Sequence, residues 1–285
     1  MKTPEQLKGA IRNISRQNNI SAQEVLQRYM FERLLERLSV SPYRKNFILK
    51  GGLLISSMIG VSERTTMDMD ASVCGITVDK DMLERTFKEI LSIDVGDGIV
   101  FRYDCMEPIR EDDEYDNFRV HIVAEYGKIC NRMKIDVTTG DRIIPSAINY
   151  SFSSFFDEVK IDILAYAIET ILAEKYETIL RRNIGNTRSR DFYDLYVLFK
   201  RYASEINPIS FKLAVENTAR KRGSLDILAD YKSICAEIIM DDNLRRLWRN
   251  YCASEPYAAR FSFVEVADNV LSVGEYLSRI SLSDN

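Results

Sequence analysis

Histidine is almost absent from this chain. Among 285 residues only His121 carries an imidazole. A serine–histidine triad, a multi-histidine zinc site or a histidine-rich nuclease centre would all have to be built on that one side chain. It lies in Phe118-Arg119-Val120-His121-Ile122-Val123-Ala124, a strand-like stretch that gives it a structural setting. Cysteine offers little more. Cys74, Cys105, Cys130, Cys235 and Cys252 are odd in number and form no C-x-x-C pair. That argues against structural zinc and fits scattered reduced thiols of a cytoplasmic protein. Positive charge is not in excess either: 39 Lys+Arg against 43 Asp+Glu give a net charge of −4, so any nucleic-acid contact must use a local patch. No apolar run is long enough to span a bilayer, and Met1-Lys2-Thr3-Pro4-Glu5-Gln6 lacks the apolar core of a secretory signal. The chemistry is expected to rest on carboxylates, lysine and metal.

What is present suffices for a large core: 46% of residues are hydrophobic and 29% charged. Residues 4–40 read as two helices, the second opened by the capping box Ser21-Ala22-Gln23-Glu24. A short helix follows Gly51-Gly52. The period then changes to two in residues 67–74, where Met67, Met69, Ala71 and Val73 alternate with Asp68, Asp70 and Ser72. Residues 80–92 are helical. Strands are expected over 99–105, 118–125, 132–137 and 159–165, with the acidic segment 111–116 as a solvated hairpin tip. Five helices are expected beyond that, at 190–204, 208–221, 225–240, 243–253 and 263–280, after one through Leu172 and Lys175. The expected organisation is an N-terminal α/β unit, residues 1–150, and a mostly helical unit, residues 151–285, with a ligand cleft between two such units.

Asp68-Met69-Asp70 is the leading candidate site. Carboxylates at i and i+2 of a strand share a face, about 6.6–6.8 Å apart along the backbone, and hard divalent cations take oxygen ligands. Asp136, in the alternating stretch Lys134-Ile135-Asp136-Val137-Thr138, joins them if the two strands pair. Three carboxylates so placed repel one another unless a cation neutralises them. Two magnesium ions there would polarise a triphosphate, with Asp136 as ligand or general base. Lys50-Gly51-Gly52 leads into a helix, whose first amides suit phosphate oxygens; a tight turn that needs glycine is the plainer explanation. Lys175, inside Ala173-Glu174-Lys175, and the i, i+3 pair Asp191 and Asp194, preceded by Arg188 and Arg190, are further candidates. Asp191 is placed to position Lys175 or an arginine. Residues 175–222 hold eleven Lys+Arg against five Asp+Glu, a patch able to meet an RNA backbone or simply a solvated helical surface.

The ordered set Lys50-Gly51-Gly52, Arg64-Thr65-x-x-Asp68-x-Asp70, Lys134-x-Asp136, Ala173-Glu174-Lys175 and Arg190-Asp191-x-x-Asp194-Leu195 resembles the AbiEii/AbiGii toxins, nucleotidyltransferase-like proteins of abortive-infection and toxin–antitoxin systems. The resemblance spans roughly residues 20–200. It implies an α+β fold: a mixed sheet of the DNA polymerase β type with flanking helices, then a helical bundle. It implies a nucleoside triphosphate (GTP or a pyrimidine nucleotide) used with magnesium, tRNA or other RNA as acceptor, and a cognate antitoxin. Asp68 and Asp70 would hold metal, Lys175 would meet the triphosphate, and Asp191 or Asp194 would complete a second conserved site. Lys50, Gly51, Gly52, Arg64, Thr65, Arg190 and Asp194 are the remaining nucleotide-binding candidates. One departure stands out: the wider superfamily usually has Gly-Ser where this chain has Gly51-Gly52, with Thr65 or Thr66 as the candidate replacement hydroxyl. A non-catalytic module that sequesters GTP or a partner is the alternative. A monomer is the default.

Overall fold

The computed structural model describes residues 3–76, 79–109, 117–140, 143–157 and 159–281. Capping boxes at Thr3 and Ser21 open α1 (Pro4–Asn18) and α2 (Ala22–Val40). β1 (Phe47–Lys50) runs directly into α3 (Gly51–Ile59), and β2 (Met69–Val73) returns beside it. After α4 (Lys80–Ser92) come β3 (Val100–Pro108), β4 (Phe118–Tyr126), β5 (Ile129–Thr139), β6 (Ile148–Ser153) and β7 (Lys160–Ala165). The segment 111–116 lies outside the described residues.

The seven strands form one mixed sheet in the order β3-β4-β5-β2-β1-β7-β6. Two pairs are parallel, β2 with β5 and β1 with β7; the others are antiparallel. Alternation places the two faces differently. Met69 and Ala71, Ile135 and Val137, and Val120 and Ile122 are all buried. The opposite face carries Asp70, Asp136 and Arg119. On the covered side Gln27 and Gln23 of α2 exchange hydrogen bonds of 2.8 Å with the buried Asn131. Arg37 of α2, 1% exposed, is held by both Asp97 oxygens at 2.7 and 2.8 Å and by the Ile99 carbonyl at 2.8 Å. A guanidinium so deep in the structure is tolerated because the Asp97 carboxylate matches its charge and both terminal nitrogens are hydrogen-bonded, although Nε has no hydrogen-bond partner among the described residues.

The remaining helices are α5 (Ile168–Arg182), α6 (Ser189–Arg201), α7 (Pro208–Lys221), α8 (Tyr231–Met240), α9 (Asp242–Ser254) and α10 (Phe263–Ser278). The single helix expected over 225–240 is divided: a short 3₁₀ turn, Leu225–Leu228, precedes α8. Two compact units result, Met1–Asp141 with Ile148–Ala165, and Arg142–Ala147 with Tyr166–Asn285. β6 and β7 therefore extend the sheet past residue 150. The expected class, a mixed sheet with flanking helices followed by a helical part, is what forms. Among the described residues no helix is long and apolar enough to cross a membrane.

Candidate active site

Strand register assembles one row of side chains from four strands. Lys50 of β1 stands opposite Asp70 of β2, Asp70 opposite Asp136 of β5, and Asp136 opposite Arg119 of β4. Directly opposed residues share a face, so the signs along the row run plus, minus, minus, plus. Asp70 is half-buried, and Asp68, one residue ahead of β2, is exposed; Met69 between them is buried at 3%. The strand pairing expected for Asp136 is present. Its carboxylate is already matched, however: Arg119 donates from Nε to Oδ1 and from Nη2 to Oδ2, both at 2.8 Å. That pair, together with the nearby charges of Asp68 and Glu107, holds the guanidinium proton more tightly than usual. Lys50 is tied across the sheet as well, its ammonium 2.7 Å from the Thr138 hydroxyl, which is 3.1 Å from that of Ser72.

The glycine turn is built against this row. Gly51 has φ +66°, and a Cβ there would lie 2.0 Å from Asp70 Oδ2. A Cβ on Gly52 would lie 2.7 Å from Thr66 Oγ1 and 3.3 Å from Arg64 Nη2. At Gly51 only glycine accepts both the left-handed backbone and the close approach, and at Gly52 the close approach alone favours glycine. The turn therefore needs its glycines for structural reasons, and those reasons are the candidate site residues themselves. Lys50, the N-cap of α3, makes no side-chain cap hydrogen bond, and the first turn of α3 holds no acidic residue. That leaves a positive helix end suited to an anion. Of the two threonines left open by the sequence, Thr66 is the one whose hydroxyl sits beside Gly52; it also donates to the Asp68 carbonyl at 3.2 Å. Thr65 is buried and Arg64, 1% exposed, donates to the Thr65 carbonyl.

The helical unit holds the second cluster. Lys175 of α5 lies 2.7 Å from Asp191 Oδ1 and 3.1 Å from Asp194 Oδ2, both on α6. The two carboxylates are 3% and 0% exposed. The i, i+3 spacing thus puts both acids on one ammonium, as the sequence allowed for Asp191. Arg188 approaches Asp191 at 3.4 Å, while Arg190 reaches toward Glu255 at 3.9 Å. Some basic side chains of 175–222 have partners within this unit, while the segment keeps its excess of positive charge. Arg181 pairs with Glu177 at 2.7 Å, Arg222 bonds Glu177 and Thr178, and Lys200 lies over the Tyr196 ring.

Among the described residues no three His, Cys, Asp or Glu side chains group into a metal cage. Magnesium usually takes one or two carboxylates and completes its shell with water and substrate phosphates. Asp68 and Asp70 fit that donor set. Arg119 in this row, and Thr138 and Ser72 opposed to each other one same-face step along, are the residues of this face that sequence reasoning missed; alternation marked the polar face of their strands, but only register brings them together.

A mixed sheet of this topology, with a carboxylate pair beside a helix-opening glycine turn, accords with the nucleotidyltransferase class that the family match shows. The chain belongs to the family described as nucleotidyl transferase AbiEii toxin, type IV TA system, whose model matches residues 33–268. The fold is similar to that of an H. pylori protein assigned as a nucleotidyltransferase, at TM-score 0.50 and 16% identity over 92% of this chain and 100% of that one. JHP933 from Helicobacter pylori aligns at TM-score 0.49 and 17% identity over 91% of this chain and 95% of its own. An antigenic nucleotidyltransferase-like protein from Paracoccidioides brasiliensis aligns at TM-score 0.40 and 13% identity, covering 70% and 90%. No curated protein matches the sequence.

Proposed function

We propose that the chain transfers a nucleotidyl group from a nucleoside triphosphate, GTP or a pyrimidine nucleotide, to a hydroxyl of tRNA, and that it acts as the toxin of a pair with a cognate antitoxin. The reading is carried by the Gly51 turn lying directly against Asp70: a helix end suited to a phosphate and a carboxylate suited to a metal share one spot. Asp68 and Asp70 would hold magnesium, as two ions, which when bound polarises the triphosphate and lowers the pKa of the attacking hydroxyl. The backbone amides after Gly51 bind phosphate oxygens, and the Thr66 hydroxyl takes the place of the serine usual in the wider superfamily. The family resemblance assigns Lys175 to the triphosphate; Asp191 and Asp194 fix its ammonium. In the transfer, the hydroxyl oxygen bonds to the α-phosphorus as the bond to pyrophosphate breaks, and the hydroxyl proton passes to a carboxylate of the face.

The test is incubation of the purified chain with each labelled nucleotide, magnesium and total tRNA. Label should appear on RNA. Asp70→Asn should keep the far-UV spectrum of the parent and lose about a hundredfold or more of the activity, the scale of a single catalytic group. Label on protein would redirect the acceptor. Tight binding of nucleotide without any product would support sequestration instead, and an Asp70→Asn variant as active as the parent would remove the assigned role.

A further inference from the structure

We propose that Arg119 is the phosphate-contacting arginine of the sheet face, and that Asp136 acts as its positioning residue and not as a third metal ligand. The inference rests on the nucleotidyltransferase reading and concerns the division of labour within that site.

Three observations carry it. First, both Asp136 oxygens are engaged side-on by Arg119 Nε and Nη2 at 2.8 Å. A fork of this kind uses the planar match between guanidinium and carboxylate. A cation on the remaining lone pairs of Asp136 would stand beside a fixed positive charge, which disfavours it there relative to Asp68 and Asp70. Second, a guanidinium has five N–H groups, and two of them serve Asp136. The rest belong to a side chain that is 36% exposed, against 20% for Asp136, so donors remain for an incoming anion. The guanidinium stands at the end of the row that contains Asp70 and lies in the field of Asp68. Third, strand pairing does not need this contact. β4 and β5 are registered continuously from Phe118↔Val137 to Tyr126↔Ile129, so the backbone ladder joins the two strands along its whole length independently of this pair. An arginine held rigidly by a carboxylate, with spare donors next to a carboxylate pair, is organised to receive a phosphate. The phosphate belongs either to the triphosphate or to the acceptor RNA.

The experiment uses the full chain and its Arg119→Ala, Arg119→Lys, Asp136→Asn, double Arg119→Ala/Asp136→Asn and Asp70→Asn variants. Circular dichroism and thermal midpoints first establish folding, with Arg119→Lys as the variant that keeps the charge and loses the fork. Mn²⁺ affinity is read by electron paramagnetic resonance, nucleotide and tRNA affinity by equilibrium binding, and KM separately for nucleotide and for tRNA. Arg119→Ala and Asp136→Asn should each weaken the same substrate by about ten- to a hundredfold, the scale of a charged hydrogen bond. The double variant should be worse than either by no more than about threefold, as expected of coupled residues. A change in nucleotide affinity identifies the triphosphate as the ligand; a change confined to the KM for tRNA identifies the acceptor. Asp136→Asn should leave Mn²⁺ affinity unchanged while Asp70→Asn lowers it. Equal loss of Mn²⁺ in Asp136→Asn and Asp70→Asn overturns the proposal, as does an Arg119→Ala protein with unchanged affinities and KM values. A chain that transfers nothing defeats the transferase reading alone, because the metal and nucleotide measurements need no turnover.

Discussion

Single residues in this protein do several jobs at once, and Gly51 shows it best. Its left-handed backbone and the 2.0 Å approach of Asp70 to its missing Cβ mean that one hydrogen on Cα decides whether turn and carboxylate can coexist. Gly51→Ala should cost about 1–2 kcal/mol from the backbone alone, with more from displacing Asp70. Urea unfolding reads the first effect. Metal affinity reads the second, and a variant of full stability and full affinity would show that the contact is unimportant. Lys50 and Thr66 make the same point from opposite directions. Lys50 was expected at the phosphates and is anchored to Thr138 across the sheet. Thr66, one of two hydroxyls left open, stands beside Gly52.

Elements explain why the charged clusters persist. α5 and α6 are joined by one ammonium between two buried carboxylates. Removing the lysine leaves like charges unmatched in a poorly solvated place. Lys175→Met should therefore destabilise the protein by about 3 kcal/mol, near the lower end for a broken buried pair because the lysine keeps some contact with water. Chemical denaturation measures it; an unchanged midpoint would mean that Lys175 contributes only to ligand binding. At this scale the sequence was readable where period and length agreed. The pattern over 80–92 is α4 residue for residue, and the Ser21 box opens α2. It was silent on β1, whose four residues are all buried and so show no alternation. It was silent on β6 too, where only Phe152 is buried. Asp68 was read as part of a strand that in fact begins at Met69.

The whole molecule has an alkaline weakness that follows from its buried phenols. Burial pushes Tyr29, packed edge-on against Phe156, up to about 12 from 10.0, and pushes Tyr103 up to about 12. Burial also raises Tyr176 strongly. In the unfolded chain these groups ionise near pH 10 while the folded ones stay neutral. The stabilisation is complete below pH 10 and is lost as pH rises from there toward 12. Denaturant midpoints should hold steady below pH 10 and fall across that window, and Tyr29→Phe should flatten the fall. A midpoint independent of pH above 10 would contradict the linkage. The sequence by itself determined the chemical vocabulary: one histidine, a strand-edge carboxylate pair, a glycine turn before a helix, and the order of motifs that places the chain in its family. Those are local facts of composition and period, set by neighbours in the chain. Tertiary structure alone decided which residues meet. Register across β1, β2, β5 and β4 lines up Lys50, Asp70, Asp136 and Arg119, because a strand's partner is fixed by burial of its other face. No spacing along the chain could reveal that Asp136 answers first to an arginine.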